Sequence, residues 1–401
     1  MNINVLHIND NIENKGGVET NIKQLCDLAP SFNMKMYWTA IFKNDIGYSI
    51  EIPRKNKPII FFKNLNKCIE YFKNFCDDYS VNIIHLHSIS NPRLIDALFD
   101  LRPVVRSMRD PRMFCPGHGK FFRKSERICD IPYGLHCFYH SYKESCCNRH
   151  PKRLIKSYIN VVYETKIASK KYAAIIVMSD YMIDEALKVG YNKKNLIYNP
   201  HLTPTVSKQF LIDSTNDKVK SLVYVGRLSI TKGVHYAIKC VTTLLDQGYK
   251  VQFDIVGSGE DESYFKSLIP EKYSHHFIFH GWQHRNAVDL ILLKAYVLLF
   301  PSIYPEAFGI SGIEAMMRAK PVVGFNVGGV STWLKDQQTG FLVNQKNYKE
   351  MAERVATLID NNKLYKFLSS NSRKLALDKF SEKNHMTKLY ELYWKIHSRS
   401  I

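Results

Sequence analysis

The 401-residue sequence predicts an α/β protein of two domains, each built on a doubly wound parallel sheet. Short apolar runs alternate with segments of helical periodicity along both halves of the chain, which is typical of repeated βα units. The run from Val297 to Phe300 is wholly apolar and stops at Pro301, as expected of a buried parallel strand. The length is enough for two domains of about 200 residues, each with its own core.

The N-terminal half opens with a strand, a loop that contains two glycines, and a helix. Predicted strands span residues 3–8, 81–87, 103–107 and 173–178, and predicted helices span residues 19–28, 91–101 and 180–189. Gly16 and Gly17 in the first loop would let the backbone approach a phosphate closely. An ordinary glycine-rich turn is the alternative.

The C-terminal half repeats the same alternation. Predicted strands span residues 221–226, 251–256, 277–280, 297–300 and 321–325, and predicted helices span residues 234–246 and 385–399. The last of these is amphipathic and rich in aromatic residues. We expect an N-terminal domain over residues 1–200 and a C-terminal domain over residues 201–384.

The composition is that of a globular protein with an excess of basic residues. Hydrophobic residues make up 45%, charged residues 23%, and the net charge is +19. The charge indicates either anionic partners, such as nucleotides, lipid head groups or nucleic acid, or compositional drift. The first residues lack the pattern of a secretory signal, and no apolar run approaches the ~20 residues that span a membrane, so we expect a cytoplasmic protein.

Two basic residues follow the strand predicted at residues 221–226. The segment Gly226-Arg-Leu-Ser-Ile-Thr-Lys-Gly233 places Arg227 and Lys232 between a strand end and a helix. Arg227 can offer a bidentate fork to a diphosphate, and Lys232 adds a mobile point charge. The alternative is a pair of solvated side chains in a basic protein.

Glu306 lies before a helix that is predicted after the strand at residues 297–300, and Glu314 lies inside that helix. Eight helical residues span about 12 Å, so the two carboxylates are too far apart to act as an acid/base pair on one bond. They could instead hold two parts of one elongated ligand, whose anionic middle would lie at the helix start.

The segment Glu306-Ala-Phe-Gly-Ile-Ser-Gly-Ile-Glu314 resembles the E-x7-E signature of retaining glycosyltransferases with the GT-B fold, in particular family 4 (glycosyl transferases group 1). The surrounding residues strengthen the resemblance: Pro-Ser at 301–302, Pro-Val-Val at 321–323, Gly-Gly-Val at 328–330 and Thr-Gly-Phe-Leu-Val at 339–343. Residues 226–233 resemble the diphosphate-binding segment of the same family. The resemblance spans most of the chain.

The resemblance implies two Rossmann-like domains facing across a cleft, with residues 385–401 completing the N-terminal domain. It implies an acceptor on the N-terminal domain and a UDP- or GDP-linked sugar on the C-terminal domain. Glu306 would hold sugar hydroxyls, Glu314 would hold ribose hydroxyls, and Trp282 would stack on the nucleobase unless it is a core residue. The implied donor-binding residues are Gly16, Gly17, Arg227, Lys232, Trp282, Glu306, Phe308, Gly309, Ile310 and Glu314, of which Arg227, Lys232 and Glu306 are the implied catalytic residues.

The implied reaction retains the sugar configuration and needs no cofactor. Arg227, Lys232 and the helix start would stabilise the departing nucleoside diphosphate as its charge develops. In the family the acceptor hydroxyl is thought to give its proton to that phosphate, so no side-chain base is required. The chain has no Asp-x-Asp triplet, which disfavours a metal-bridged diphosphate.

The sequence departs from the family pattern after the strand predicted at residues 103–107. Arg109 and Asp110 stand there, where many relatives have His followed by Asp or Thr. Because that neighbourhood contacts the transferred sugar in the family, we assign His87, Arg109 and Asp110 to the acceptor or sugar side.

Five of the nine cysteines cluster within residues 115–147, a segment that resembles an insertion of some family members. Four thiolates, from Cys115, Cys129, Cys137 and Cys146, could form a structural zinc site, although the spacing lacks a CxxC pair. Reactive thiols and plain loop-stabilising residues are the alternatives. Disulfides are not expected in a reducing compartment.

The segment from His150 to Tyr172 is rich in lysine and carries apolar residues near helical spacing. Such a helix either lies on an anionic membrane surface or covers the sheet of the N-terminal domain.

The sequence therefore predicts a retaining, metal-independent hexosyltransferase that acts on a glycan or polyprenyl-linked acceptor. We expect it at the inner face of the cytoplasmic membrane, in the synthesis of a bacterial surface polysaccharide. A sugar-nucleotide epimerase of the same fold is the alternative, and a basic nucleic-acid-binding protein is a lesser one because no module of that class is recognisable.

Overall fold

The computed structural model describes residues 3–10, 17–43, 48–51 and 59–399. The chain forms two compact units. Unit 1 comprises residues 1–125, 129–202 and 383–401, and unit 2 comprises residues 126–128 and 203–382. The chain thus leaves unit 1 after Leu202, close to the boundary predicted after residue 200.

Sixteen strands fall in the described residues. They are β1 Ile3–Asn9, β2 Met34–Lys43, β3 Tyr48–Glu51, β4 Ile59–Phe62, β5 Ile83–Leu86, β6 Val104–Met108, β7 Phe121–Phe122, β8 Arg127–Ile128, β9 Ala174–Val177, β10 Leu196–Tyr198, β11 Lys220–Val225, β12 Val251–Val256, β13 Phe277–Gly281, β14 Val297–Phe300, β15 Val322–Phe325 and β16 Gly340–Val343.

Fifteen α-helices connect or cover these strands within the same ranges. They are α1 Gly17–Leu28, α2 Leu65–Asp78, α3 Pro92–Phe99, α4 His136–Lys143, α5 Pro151–Tyr163, α6 Ser169–Lys171, α7 Asp180–Lys188, α8 Val234–Asp246, α9 Glu262–Ser267, α10 Arg285–Lys294, α11 Ile310–Met317, α12 Val330–Trp333, α13 Tyr348–Asp360, α14 Asn362–Phe380 and α15 Glu382–His397. A π-helical turn, Glu164–Ala168, joins α5 to α6.

The sheet of unit 1 has the strand order β10-β9-β6-β5-β1-β2-β3-β4. Pairing is parallel from β10 to β2 and antiparallel from β2 to β4. The parallel strands β5, β6 and β9 are buried along their whole length, because helices cover both faces of such a sheet. β1 and β5 are neighbours although three strands separate them in sequence, so the strand order reverses between them.

The sheet of unit 2 is wholly parallel, with the order β13-β12-β11-β14-β15-β16. The order reverses between β11 and β14. Loops that leave two neighbouring strands in opposite directions open a crevice at their carboxyl ends, and ligands of open α/β sheets bind there.

The loops that follow β11 and β14 pack closely against each other at Gly233. Gly233 has a φ of +71°, and a Cβ atom there would lie 1.8 Å from the carbonyl oxygen of Pro301. The backbone N–H groups of Ile303 and Tyr304 both donate to the carbonyl oxygen of Thr231, at 3.1 and 3.2 Å. These contacts fix the two loops relative to each other.

Replacing Gly233 by alanine is expected to destabilise unit 2 by about 2–5 kcal/mol, since the new Cβ adds a backbone overlap to the cost of a left-handed conformation. The matched control is Gly248→Ala. Gly248 has a φ of +86° with nothing within 4 Å of an added Cβ. The Gly248→Ala variant should therefore lose only about 1–2 kcal/mol of its free energy of unfolding. Urea unfolding compares the two, and equal losses would show that the packing of the loops is not tight.

Candidate functional site

Most of the predicted donor-binding residues lie near the point where the strand order reverses, between β11 and β14. The loop after β11 carries Arg227 and Lys232, and the loop after β14 carries Glu306. A 3-10 turn, Ile230–Lys232, leads from the first loop into α8, with Gly233 as the residue before that helix.

Lys232 and Glu306 form an ion pair across the two loops. The distance from Lys232 Nζ to Glu306 Oε1 is 2.6 Å. The Glu306 side chain is only 9% exposed, whereas that of Lys232 is 31% exposed. The Lys232 ammonium also lies 5.6 Å from the centre of the Tyr304 ring. The structure therefore places a carboxylate and a mobile cation side by side at the crevice.

The backbone of Glu306 is held by the glycine pair after β15. Gly328 has a φ of +51°, and a Cβ there would lie 2.4 Å from the carbonyl oxygen of Glu306. Gly329 N–H donates to that oxygen at 2.7 Å. Any side chain at residue 328 would push Glu306 out of place, which explains the glycine at this position.

The helix α11 begins at Ile310, four residues after Glu306. Gly309 precedes it with a φ of +95°, and no side chain caps this start. The first N–H groups of α11 are therefore able to bind an anion. Trp333 holds the preceding turn, because its indole N–H donates to the carbonyl oxygen of Phe308. A Cβ at Gly312 would lie 2.1 Å from the Trp333 ring, so helix and ring are in close contact.

Glu314 lies inside α11 and is buried. Its Oε1 accepts a hydrogen bond from Arg285, which leaves Oε2 for a further donor. Arg285 also pairs with Asp289 at 3.0 Å, and Asp289 pairs with the buried Arg318 at 2.6 Å. Burial lowers the pKa of Arg285, but the carboxylates of Glu314 and Asp289 outweigh it and raise the pKa overall.

This network of alternating charges around Glu314 was not predicted from the sequence. Its one sequence signal is the spacing of Arg285 and Asp289, four residues apart on α10, which puts them on one helix face. The pairing of Glu314 with α10 depends on the tertiary fold and could not be predicted from spacing.

Arg227 and Trp282 lie at the surface. Arg227 is exposed, and in the described part of the chain its guanidinium forms no ion pair. Trp282 is 58% exposed and contacts the ring of His284 edge-on at 4.7 Å. The core tryptophan of this unit is Trp333, which is fully buried. Trp282 is therefore available to stack on a flat ligand.

Unit 1 has its own polar cluster at the reversal of its sheet, between β1 and β5. His7 and His85 are paired in register on these strands, and His87, two residues on, lies on the same face. His7 Nδ1 and His87 Nε2 are 2.9 Å apart. His85 contacts Tyr393 of α15 and Ser107 of β6, at 2.6 and 2.8 Å.

Arg109 connects this histidine cluster to the neighbouring loops. Its Nε donates to His87 Nδ1 at 3.1 Å, its Nη2 donates to Asn21 Oδ1 at 3.0 Å, and its Nη1 lies 2.9 Å from His201 Nδ1. Burial lowers the pKa of Arg109 to about 10, so the side chain remains a cation. His87 and Arg109 are thus brought together, as their assignment to one site requires.

The three histidines offer ring nitrogens within 4.8 Å of one another, close enough to ligate a metal ion. However, His87 bonds to His7 through one ring nitrogen and to Arg109 through the other. Burial lowers the pKa of His85 and of His87 well below the ordinary value, and Arg109 lowers both further. A guanidinium in direct contact opposes a second cation, so the cluster fits a neutral scaffold for Arg109 better than a metal site.

Asp110 serves the local backbone. Its side chain accepts from the N–H of Arg112 at 3.0 Å and from Arg112 Nε at 2.9 Å, which caps a 3-10 turn, Pro111–Met113. Of the two glycines predicted to approach a phosphate, Gly17 is the first residue of α1, and Gly16 lies outside the described residues.

Comparison with known proteins decides the family. Residues 207–375 match the family described as glycosyl transferases group 1. The matched segment is less than half of the chain, and it is similar to glycosyl transferases group 1. The match covers the Lys232–Glu306 pair, α11 and the charge network around Glu314, and it confirms the family resemblance that the motifs indicated.

Two curated relatives of this group 1 segment come from Gram-positive bacteria. The capsular polysaccharide biosynthesis glycosyltransferase CapM of Staphylococcus aureus is 29% identical over 181 residues, which are 42% of this chain and 44% of the relative. The poly(glycerol-phosphate) alpha-glucosyltransferase of Bacillus subtilis is 21% identical over 215 residues, which are 53% of this chain and 31% of the relative. The chain spans less than half of the length of either one.

The fold is shared along the whole chain with solved structures. Anabaena HepE in complex with UDP is 14% identical, with a TM-score of 0.66 over 98% of this chain and all of the other. The predicted α/β architecture with two doubly wound parallel sheets of the GT-B type is confirmed. Within the described ranges, no helix is long and apolar enough to cross a membrane.

Acidification is expected to destabilise unit 1. Burial lowers the pKa of His7 to about 3 and that of His385 to about 4. An unfolded histidine takes up a proton near pH 6.5 and these do not, so stability falls from pH 6.5 downward by about 1.4 kcal/mol per pH unit for each such group.

Urea unfolding at pH 7 and pH 5 measures this loss. His385→Gln should reduce the difference between the two pH values, because one buried neutral imidazole is removed, while the exposed His275→Gln should not. Equal stability of the parent protein at both pH values would contradict the buried, neutral histidines.

Proposed function

We propose that this protein is a retaining glycosyltransferase that moves a hexose-type sugar from a UDP- or GDP-linked donor to a hydroxyl of an acceptor glycan. The observation that carries the proposal is the contact between Lys232 and Glu306 beside the start of α11. A nucleotide-sugar has an anionic diphosphate joined directly to a sugar rich in hydroxyls. A cation and a carboxylate side by side match those two groups in that order.

The remaining residues of the crevice extend the match along the donor. Arg227 offers a planar fork to the diphosphate from the same loop as Lys232, and the uncapped N–H groups of α11 offer further donors. Glu314 Oε2, which has no hydrogen-bond partner within the described ranges, suits ribose hydroxyls, and the exposed face of Trp282 suits a nucleobase. Supporting this donor class, a GT-B neighbour, Anabaena HepE, has been crystallised with UDP.

The reaction follows from the charges. When the bond between the anomeric carbon and the phosphate oxygen breaks, the electron pair stays on the nucleoside diphosphate. Lys232, Arg227 and the helix start stabilise that charge as it develops. The acceptor oxygen forms the new bond on the same face, and its proton passes to the departing phosphate. This path needs neither a side-chain base nor a metal ion.

The proposed retention of the sugar configuration agrees with the product named for a relative. The Bacillus subtilis relative is an alpha-glucosyltransferase, and a donor with an α-linked sugar gives an α-linked product only when the configuration is retained. We extend the same stereochemistry to this protein because its group 1 segment aligns with that enzyme.

We assign the acceptor to unit 1 and infer that it is anionic. A polar cavity of about 370 Å³ in unit 1 is lined by cationic side chains and small polar groups. Its lining residues are Ser90, Arg112, Pro116, Gly117, His118, Asn148, Arg153, Lys156, Ser157 and Asn160. The cavity contains no acidic residue, so it favours a phosphate-bearing chain of the kind that the Bacillus subtilis relative glucosylates.

The helix α5 and the π-helical turn that follows it support attachment to the inner face of the cytoplasmic membrane. Ile155, Ile159 and Ile167 are 48, 56 and 47% exposed, and they alternate with exposed Lys152, Lys156 and Lys166. An apolar stripe among cations fits the boundary of an anionic bilayer. Leu154, Val161 and Tyr163 are buried, so the helix covers the protein with its other face. A role in bacterial surface polysaccharide synthesis follows from such an attachment and from the relative CapM.

Replacing Glu306 by glutamine is expected to lower turnover of the sugar nucleotide by about 100-fold or more, since the neutral amide cannot hold the sugar against Lys232 as the carboxylate does. Release of nucleoside diphosphate from UDP- and GDP-hexoses measures turnover. Glu262→Gln is the matched control, because it removes a surface ion pair with Lys266 on α9 of the same unit. Full turnover in E306Q would overturn the assignment.

Removing two cations from the cavity, in the double variant Arg153→Ala and Lys156→Ala, should weaken binding of a fluorescent poly(glycerol phosphate) oligomer at least tenfold, because each charged hydrogen bond contributes about 1.5–3 kcal/mol. Turnover of the donor without acceptor should not change. The control pair Lys166→Ala and Lys170→Ala removes equal charge from the same segment outside the cavity. Equal weakening in both pairs would mean that charge alone, and not the cavity, binds the oligomer.

A further inference from the structure

Five cysteines lie around one small cavity in the insertion of unit 1, which the proposed reaction does not use. The cavity measures about 20 Å³, and a space of this size holds a single water or ion. The cysteines that line it are Cys115, Cys129, Cys137, Cys146 and Cys147. Phe114, Phe121 and Phe122 surround the thiols.

The insertion has little regular structure to stabilise it. Between Cys115 and Cys147 the chain forms only the two-residue strands β7 and β8 and the eight-residue helix α4. Short segments with so little secondary structure are usually held by disulfides or by a metal ion. All five cysteines are free thiols. The sulfurs of Cys146 and Cys147 lie 3.7 Å apart, well beyond the length of a disulfide bond.

The backbone around Cys115 presents hydrogen-bond donors to its sulfur. The N–H groups of Lys120, Gly117 and Gly119 donate to the Cys115 sulfur. A Cβ at Gly117 would lie 2.3 Å from the carbonyl oxygen of Cys146, so only glycine permits this turn. The buried ammonium of Lys120 also lines the cavity and is paired with Glu185 at 2.7 Å.

Cys146 and Cys147 are neighbours in sequence, and their sulfurs lie 3.7 Å apart. They therefore compete for one corner of a tetrahedral site, and we assign that corner to Cys146, the thiol of the predicted set. Two imidazole nitrogens near the thiols, His136 Nε2 and His140 Nδ1, are buried without a hydrogen-bond partner, so the cavity has polar groups that the protein alone leaves unsatisfied.

We propose that Cys115, Cys129, Cys137 and Cys146 bind a zinc ion that holds the insertion in shape. Four thiolates are the ligand set of structural zinc, which takes them in a tetrahedron with Zn–S distances of about 2.3 Å. Each thiol gives its proton to solvent as it binds. Among the described residues, the three histidines are the group whose ligand atoms all lie within 4.8 Å of one another, so the cysteine sulfurs must move toward one another to bind zinc.

The zinc site has a consequence for the basic cavity in unit 1. Pro116, Gly117 and His118 line that cavity and directly follow Cys115. Asn148, on its other side, directly follows Cys147. The metal ion thus fixes both insertion-derived parts of the cavity wall. This link to an acceptor rests on the proposed function, whereas the metal site itself does not.

Metal analysis of the full chain, purified without chelators, tests the proposal. We expect about one zinc per chain, which is lost in Cys115→Ser and Cys137→Ser. Cys147→Ser should keep it, because Cys146 supplies the fourth thiolate, and Cys240→Ser, buried in unit 2, is the matched control. Zinc that is absent from the parent protein, or equally present in all four variants and hence adventitious only, would overturn the proposal.

A second measurement on the parent protein does not depend on whether the variants fold. Cobalt should replace zinc and give the intense thiolate-to-cobalt absorption of a tetrahedral sulfur site, and its absence would count against four thiolates. An intact mass two units lower for each bridge, restored by reductant, would instead show disulfides. E306Q should bind zinc normally, so failure of the metal site and failure of the glycosyltransferase proposal are distinguishable.

Discussion

The contact between Lys232 and Glu306 depends on the strand order of unit 2. β11 and β14 are far apart in sequence but adjacent in the sheet, and the loops that leave them can meet only because the order reverses there. Close backbone approach at Gly233 and at Gly328 then holds both loops in place. The ion pair is therefore a consequence of the fold, and it gives the crevice a cation and a carboxylate in adjacent places.

Unit 1 also brings polar side chains together where its strand order reverses, but the side chains differ. Its reversal, between β1 and β5, carries three neutral histidines and the cation Arg109. Burial keeps the imidazoles uncharged, so they can orient a guanidinium without repelling it strongly. Arg109 stands where the family resemblance led us to expect a histidine. The neighbouring histidines place hydrogen-bonding groups next to Arg109, and Arg109 itself adds a permanent positive charge.

The sequence predicted nine of the twelve described strands that pair in parallel and seven of the fifteen described helices, because buried parallel strands are wholly apolar and amphipathic helices have a clear period. It did not predict β2 and β3, which mix polar and apolar residues and are selected by tertiary packing, nor the short apolar strand β4. The positions of Glu306 and Glu314 around the start of α11 were also accessible from sequence. The partners Arg285 and Arg318 were not, because a salt bridge between helices leaves no local pattern. The exposure of Trp282 could only be seen in the structure.

Calorimetric titration of the full chain with UDP and with GDP tests the diphosphate site by itself, since it needs neither acceptor nor sugar. We expect one of the two nucleotides to bind with a stoichiometry of about one. We also expect Arg227→Ala to weaken that binding about tenfold or more, because a charged bidentate contact is lost. Failure to bind either nucleotide, or unchanged affinity in R227A, would contradict a diphosphate site at the ends of β11 and β14.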